Sequence, residues 1–192
     1  MIEVEKKFQP TKEQLENLLE GAIFLKEKSI HDVYYDFEDF RLFKKDLRLR
    51  IRNSGFELKV YKPETNGRPR IADEYTSDDD IKKVLNISNG DLEKFVLDNM
   101  RVVCDFNTNR REYNKEGFTI DIDTTDFGFG VVEIEFLVEN ESDINMAEQK
   151  ILNFAEKFKL KAVDLPLKTE AYLMEVYPEV YRKIYGDKEK FV

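Results

Sequence analysis

Alternation of apolar and polar positions dominates this chain. The first run is Ile2-Glu3-Val4-Glu5-Lys6-Lys7-Phe8. Side chains on a strand alternate faces with a period of two, so Glu3, Glu5 and Lys7 share one face. Ile2, Val4 and Phe8 take the other, with Lys6 as the exception. Leu47-Arg48-Leu49-Arg50-Ile51-Arg52 alternates strictly, Asn53-Ser54-Gly55 supplies a turn, and Phe56-Glu57-Leu58-Lys59-Val60 alternates again. This predicts a hairpin with Leu47, Leu49, Ile51, Phe56, Leu58 and Val60 on one side. Arg48, Arg50, Arg52, Glu57 and Lys59 lie on the other. Phe118, Ile120 and Ile122 alternate with Thr119, Asp121 and Asp123, and the run 131–136 puts Glu133 and Glu135 together. Further strands are predicted over 24–36, 71–76 and 100–113.

Helical spacing is rarer. Thr11 with Gln14 three residues on forms a capping box ahead of Leu15, Leu18 and Leu19, so a helix is expected over 11–20, ended by Gly21. Short helical pieces are expected over 78–85 and 90–97. A longer one over 143–159 carries the stripe Ile144, Ala147, Ile151, Phe154, Ala155 and Phe158. The last helical region, 169–185, is interrupted at Pro178. Residues 37–46 read as a loop or helical turn, and 63–69 as a loop containing Asn66-Gly67. No repeat, low-complexity segment or linker is visible. The expectation is one α+β domain spanning 1–192, built on antiparallel strands.

Composition narrows the chemistry. With 192 residues, 41% of them hydrophobic, the chain can bury one proper core. A net charge of -9 argues against a nucleic-acid partner. The single cysteine, Cys104, excludes an intrachain disulfide and a thiolate zinc cluster. The single histidine, His31, argues against histidine metal sites and a serine triad, and reads as a surface or rim residue. Carboxylates are left as metal ligands, which favours a hard cation, Mg2+ or Mn2+. With no signal peptide or long apolar run, a cytoplasmic protein with no membrane partner is expected, as a monomer or weak homodimer.

The paired charges are the unusual feature. The acids on predicted strands are Glu3, Glu5, Asp121, Asp123, Glu133 and Glu135; the bases are Lys7, Arg48, Arg50, Arg52, Lys59 and Arg110. One strand with a charged face is an ordinary wet surface. Here nearly every strand carries such a pair, and acids and bases are segregated by strand, whereas solvated faces mix signs. This points to a closed or nearly closed sheet with a charged interior and helices on its apolar exterior. Such an interior is costly unless a polyanion and metal ions fill it. Acids suit the metal and forked guanidinium groups suit phosphate oxygens, so a triphosphate fits. Glu74 reads equally as an inward acid or an ordinary strand residue. Tyr172, Tyr177, Tyr181 and Tyr185 have near-helical spacing and read as packing.

Glu3-Val4-Glu5-Lys6-Lys7 resembles the Glu-x-Glu-x-Lys motif of the CYTH superfamily, the triphosphate tunnel metalloenzymes. Tyr34-Tyr35-Asp36, the arginine strand, Glu57-Leu58-Lys59, Arg110, Asp121-x-Asp123 and Glu133-x-Glu135 follow in the family order. Ser54-Gly55-Phe56-Glu57-Leu58-Lys59, the run 121–128 and Pro166-Leu167-Lys168 are most similar to the animal thiamine triphosphatases. The resemblance implies an eight-stranded antiparallel tunnel and Mg2+-dependent hydrolysis of a triphosphate, thiamine triphosphate above all. Inorganic tripolyphosphate, a nucleoside triphosphate, class IV adenylate cyclase chemistry and non-catalytic polyphosphate binding are the alternatives. It implies that Glu3, Glu5, Asp121, Glu133 and Glu135 serve the metal, with Asp123 supporting them or binding one directly. Lys7, two of Arg48, Arg50 and Arg52, together with Lys59, Arg110 and Lys168, would hold the triphosphate. Spacing from Tyr34 favours Arg50 and Arg52. Lys59 and Tyr34 match positions that assist the leaving group. The thiamine subgroup carries an aromatic residue just before its arginine pair; Arg48 stands there in this chain.

Overall fold

Eight antiparallel strands form one sheet in the order β1-β8-β7-β6-β2-β3-β4-β5. The computed structural model describes residues 2–62, 72–88 and 90–187; the loop expected at 63–69 and Ile71 lie outside them. The strands are β1 Ile2–Phe8, β2 Ile23–Asp36, β3 Leu47–Arg52, β4 Gly55–Tyr61, β5 Ala72–Tyr75, β6 Arg101–Lys115, β7 Phe118–Thr125 and β8 Gly130–Val138. The helices are α1 Lys12–Leu19, α2 Asp78–Leu85, α3 Leu92–Asn99, α4 Ile144–Glu156, α5 Lys168–Val176 and α6 Pro178–Tyr185. No described helix is long and apolar enough to cross a membrane.

Local chemistry accounts for most boundaries. Both halves of the Thr11–Gln14 capping box are present. Ser77 and Asp91 cap α2 and α3 by accepting from Asp80 N and Lys94 N. Pro178 cannot continue α5, because it lacks an amide proton, and instead opens α6 at its first position. Asn53, at φ 59°, turns the chain between β3 and β4. In the 37–46 stretch, Asp36 accepts from the amides of Phe37, Leu42 and Phe43, which folds the segment into a turn and a short 3-10 helix, Phe43–Lys45.

The apolar faces of the strands are covered from outside. Val4, Phe8, Ile120, Ile122, Val132 and Ile134 pack under Leu18 of α1 and Ile144, Ala147, Ile151 and Phe154 of α4. Leu49, Phe56 and Leu58 pack under Ile81 of α2 and Leu92 and Val96 of α3. α5 and α6 differ from the expectation that the helices lie outside. Tyr172 and Leu173 of α5 and Tyr181 of α6 are buried against Tyr34, Cys104 and Phe106, on the inner face. The cause is a local switch in that face: β6 presents Cys104 and Phe106 inward before Thr108 and Arg110, so its first half needs an apolar cover. Of the tyrosine series, Tyr172 and Tyr181 pack as expected, while Tyr177 is 44% exposed.

Register aligns the inward charges across the sheet. Glu5 stands opposite Glu135 and Lys7 opposite Glu133; Asp121 stands opposite Glu133, and Arg110 opposite Asp123. Asp32 and Tyr34 face Arg52 and Arg50, Arg48 faces Lys59, and Lys59 faces Glu74. Among the described residues no ladder joins β1 to β5. Glu3 and Glu5 of one edge and Asp73 and Glu74 of the other line a shared cleft, so the curled sheet brings its two edges face to face.

Candidate active site

A cavity of about 220 Å³ lies inside the curl. Glu3, Glu5 and Lys7 of β1, Asp32 and Tyr34 of β2, and Arg48, Arg50 and Arg52 of β3 line it. So do Lys59 and Tyr61 of β4, Glu74 of β5, Arg110 of β6, Glu133 and Glu135 of β8, and Leu167, Lys168 and Thr169 where α5 begins. Seven strands reach one space because alternate residues of a curled sheet point to its axis.

The acids fall into two kinds. Asp123 and Glu133 are neutralised by bases. Arg110 donates to both oxygens of Asp123, at 2.7 Å each, and to Glu133 at 2.9 Å. Lys168 forms an ion pair with Asp123 and stands 3.8 Å from Glu133. Burial drives both carboxyl pKa values up, but these cations, with Lys7 ahead of Arg110 at Glu133, outweigh it and hold them below their usual range. Lys168 is raised in return: burial disfavours its charge, and Glu133 and Asp123 more than restore it.

Glu5, Asp121 and Glu135 carry negative charge in excess of their cations. Burial, then repulsion from Glu3 and Asp121, pushes Glu135 up to about 9. Burial raises Asp121 to about 6 despite its pair with Arg110. Burial and Glu133 raise Glu5. Glu3, Glu5 and Glu135 can present oxygens within 4.8 Å of one another, and so can Asp121, Glu133 and Glu135. Glu135 belongs to both groups. Asp121 Oδ1 is buried with no hydrogen-bond partner among the described residues. An orphaned carboxylate oxygen inside an all-oxygen cluster fits a hard divalent cation. Asp123 lies in neither group, its oxygens being taken by Arg110 and Lys168.

The opposite wall is basic, and acids are interleaved there as the repulsion among three arginines requires. Asp32, 1% exposed, grips Arg52 with both oxygens at 2.7 and 2.8 Å and lies 3.7 Å from Arg50. Glu57 accepts from Arg50 Nη2 and Nε at 2.6 and 2.8 Å. Tyr34 Oη accepts from Arg50 Nη1 at 3.1 Å, and burial raises its pKa. Arg48 is held apart from the other two: Nη1 donates to the carbonyls of Phe43 and Leu47, and Nη2 to Tyr185 Oη at 2.8 Å. Lys59 is the least neutralised base of this wall, 3.8 Å from Glu74.

The CYTH domain profile matches residues 1–169. This chain belongs to the CYTH family. It is 30% identical to human thiamine-triphosphatase over 208 residues, which span 96% of this chain and 89% of that protein. The Macaca fascicularis thiamine-triphosphatase is 31% identical, with the same coverage. The PH1819 protein of Pyrococcus horikoshii shares the fold, with a TM-score of 0.62, 22% identity and coverage of 93% of this chain and 99% of that one. A Hippeastrum adenylyl cyclase homologue described as having a dominant triphosphatase activity superposes with a TM-score of 0.53 at 17% identity, covering 94% of each chain.

Against this CYTH frame, most residues singled out from the pattern meet in the cavity, including Glu74, whose direction the sequence left open. Asp121 and Asp123 reach it through their contacts to Arg110. Arg50 and Arg52, the favoured pair, flank Asp32, while Arg48 is a buried tie to α6. His31 stays outside, hydrogen-bonded at 2.7 Å to Asp105 on the surface. Cys104 is a core residue whose thiol is pushed up by burial. Asp32, Tyr61 and Thr169 went unrecognised. For Asp32 the signal was present: it lies two residues before Tyr34 and so faces the same way.

The raised pKa of Glu135 has a measurable sign. Between its ordinary value of 4.5 and about 9, the folded chain retains a proton that the unfolded chain has lost. Stability without metal therefore falls as pH rises through that window. Glu135→Gln removes the effect. In chelator, thermal melts should show the variant at least about 4 °C more stable than the parent at pH 8, and equal to it at pH 5. Equal melting points at both pH values would place Glu135 in water.

Proposed function

We propose that this chain hydrolyses a triphosphate ester, thiamine triphosphate first among the candidates, to a diphosphate and orthophosphate. The observation that carries the reading is one cavity with a carboxylate cluster on one wall and arginines and lysines on the other. Similarity to thiamine-triphosphatases along almost the whole chain supports the choice of substrate. Its carboxylates, Glu3, Glu5, Asp121, Glu133 and Glu135, would hold Mg2+ or Mn2+, with Asp123 supporting them through Arg110. A divalent cation bound there supplies charge neutralisation and Lewis acidity.

The chain's own groups do the rest. Lys7, Arg50, Arg52, Lys59, Arg110 and Lys168 hold the phosphate oxygens and stabilise charge spreading over them during transfer to water. Arg52 engages Asp32 through Nε and Nη2, which among the described residues leaves its Nη1 hydrogens for substrate. Lys59, 31% exposed and weakly paired, can turn to the leaving oxygen. Tyr34 accepts from Arg50, so its own O–H remains to donate to that oxygen, and its raised pKa keeps the proton in place. The protein is proposed to act in the cytoplasm, as a monomer or weak dimer, on a small molecule and without nucleic acid.

A phosphate-release panel tests this: thiamine triphosphate, tripolyphosphate, ATP and GTP, each with Mg2+ and Mn2+, with cyclic AMP assayed in parallel. Thiamine triphosphate should be the fastest substrate and cyclic AMP absent. Lys59→Ala should lower kcat by about 100-fold with an unchanged melting point. Tight tripolyphosphate binding without turnover of any of the four would identify a binding module instead.

A further inference from the structure

Asp32 puts a negative charge on the wall that is to receive phosphate. It is 1% exposed and lines the cavity beside Arg50 and Arg52. A carboxylate there opposes an anionic ligand and is costly to bury. If this wall had only to attract phosphate, an uncharged residue in its place would leave both guanidinium groups more positive. Neutralising Arg50 does not require it either, because Glu57 already accepts from Arg50 at 2.6 and 2.8 Å.

Its geometry is that of a bracket. Asp32 and Arg52 stand directly opposite each other across β2 and β3. Oδ1 accepts from Arg52 Nε at 2.7 Å and Oδ2 from Arg52 Nη2 at 2.8 Å. Two parallel bonds of this kind fix the plane of a guanidinium as well as its place. No other carboxylate among the described residues pairs with Arg52, whose side chain is 28% exposed. So a buried, fixed carboxylate holds a partly exposed fork. Arg50 lies in the same bracket, its Nε 3.7 Å from Asp32 Oδ1, and is held further by Glu57 and by Tyr34 Oη. The same charge reaches Tyr34: burial raises the pKa of that hydroxyl, Arg50 opposes the rise, and Asp32 adds to it. Donors whose orientation is set in advance lose little freedom when they meet phosphate oxygens.

We propose that Asp32 is the positioning residue of the basic wall, orienting the Arg52 fork, and with Glu57 the Arg50 fork beside it, for the oxygens of a triphosphate. This rests on the triphosphate reading and adds to it a residue that touches no phosphate. A carboxylate kept only as a counter-charge weakens anion binding, so neutralising it tightens binding. A positioning carboxylate, when neutralised, leaves the arginines charged but loose, and the loss falls on turnover.

Asp32→Asn keeps the shape and removes the charge. Phosphate release from thiamine triphosphate with Mg2+ reads turnover, and calorimetric titration of the full chain with tripolyphosphate reads binding without it. In Asp32→Asn, kcat should fall by at least about tenfold with KM within about threefold of the parent. Tripolyphosphate should bind no more tightly than to the parent, because the ligand must now order Arg52 itself. Arg52→Lys leaves every carboxylate in place and keeps the charge but lacks the fork; it should lower kcat as much. Adding Asp32→Asn to Arg52→Lys should then lower kcat by less than about twofold more. A merely structural role lowers the melting point and leaves kcat per folded molecule at the parent value. That result, or parent kcat in Arg52→Lys, or a full second loss in the double variant, would overturn the proposal. So would tripolyphosphate binding tighter by about tenfold in Asp32→Asn, whether or not turnover is seen. If the parent hydrolyses no triphosphate and Asp32→Asn binds tripolyphosphate no more tightly, the catalytic reading fails and the positioned arginine clamp stands.

Discussion

Arg110→Ala should destabilise the metal-free protein by about 3–5 kcal/mol, the cost of removing one partner from a buried charge cluster. For a chain of this size that corresponds to a fall in melting temperature of about 10 °C. Arg110 is the cation on which Asp121, Asp123 and Glu133 converge. Without it Lys168, joined at Glu133 by Lys7, is left to neutralise that group. Two rescues distinguish this from a simple loss of packing. Asp123 and Glu133 now sit below their ordinary pKa, so each contributes stability above that value and loses it as pH falls. With Arg110 gone their pKa values rise, and the deficit of the variant should shrink towards pH 4–5. Millimolar Mg2+ should likewise raise the melting point of the variant more than that of the parent. A deficit independent of both pH and metal would show that the guanidinium acts through packing alone.

Glu5→Gln should abolish hydrolysis, lowering phosphate release at saturating substrate by at least about 100-fold, while the protein melts at or above the parent temperature. Loss of a group that merely orients a metal ligand typically costs 10–100-fold in affinity or activity, so loss of a ligand costs at least as much. Burial already raises the pKa of Glu5, so a neutral isostere relieves rather than strains the fold. High metal concentration should recover part of the rate, because Glu3 and Glu135 remain. Activity within a few-fold of the parent would remove Glu5 from the metal site.

Much of this was legible because a strand writes its geometry into a period of two. Glu3 and Glu5, Asp121 and Asp123, Glu133 and Glu135, and Arg48, Arg50 and Arg52 could each be assigned a common face from sequence alone, and the apolar partners of those residues marked the outer core. Parity says nothing about what stands opposite. Arg110, read as a phosphate ligand, also bridges three carboxylates, a consequence of β6, β7 and β8 lying side by side. Two-residue spacing puts Asp123 on the face of Asp121, and only register shows that it stands opposite Arg110. Arg48 had the parity of its neighbours and a different fate, because α6 arrives from 137 residues away to accept its hydrogen bond. The docking of α5 and α6 on the inner face was likewise hidden. A helical tyrosine series shows that something will be covered, not on which side of a sheet.

α5 and α6 fill one end of the curl with Tyr172, Leu173 and Tyr181 against Tyr34 and Phe106. Among the described residues that end of the curl is plugged, so a ligand would reach the cavity from the side where β1 and β5 face each other. Glu3 and Glu74 line both the cavity and that cleft, so substitutions there bear on entry as well as on binding.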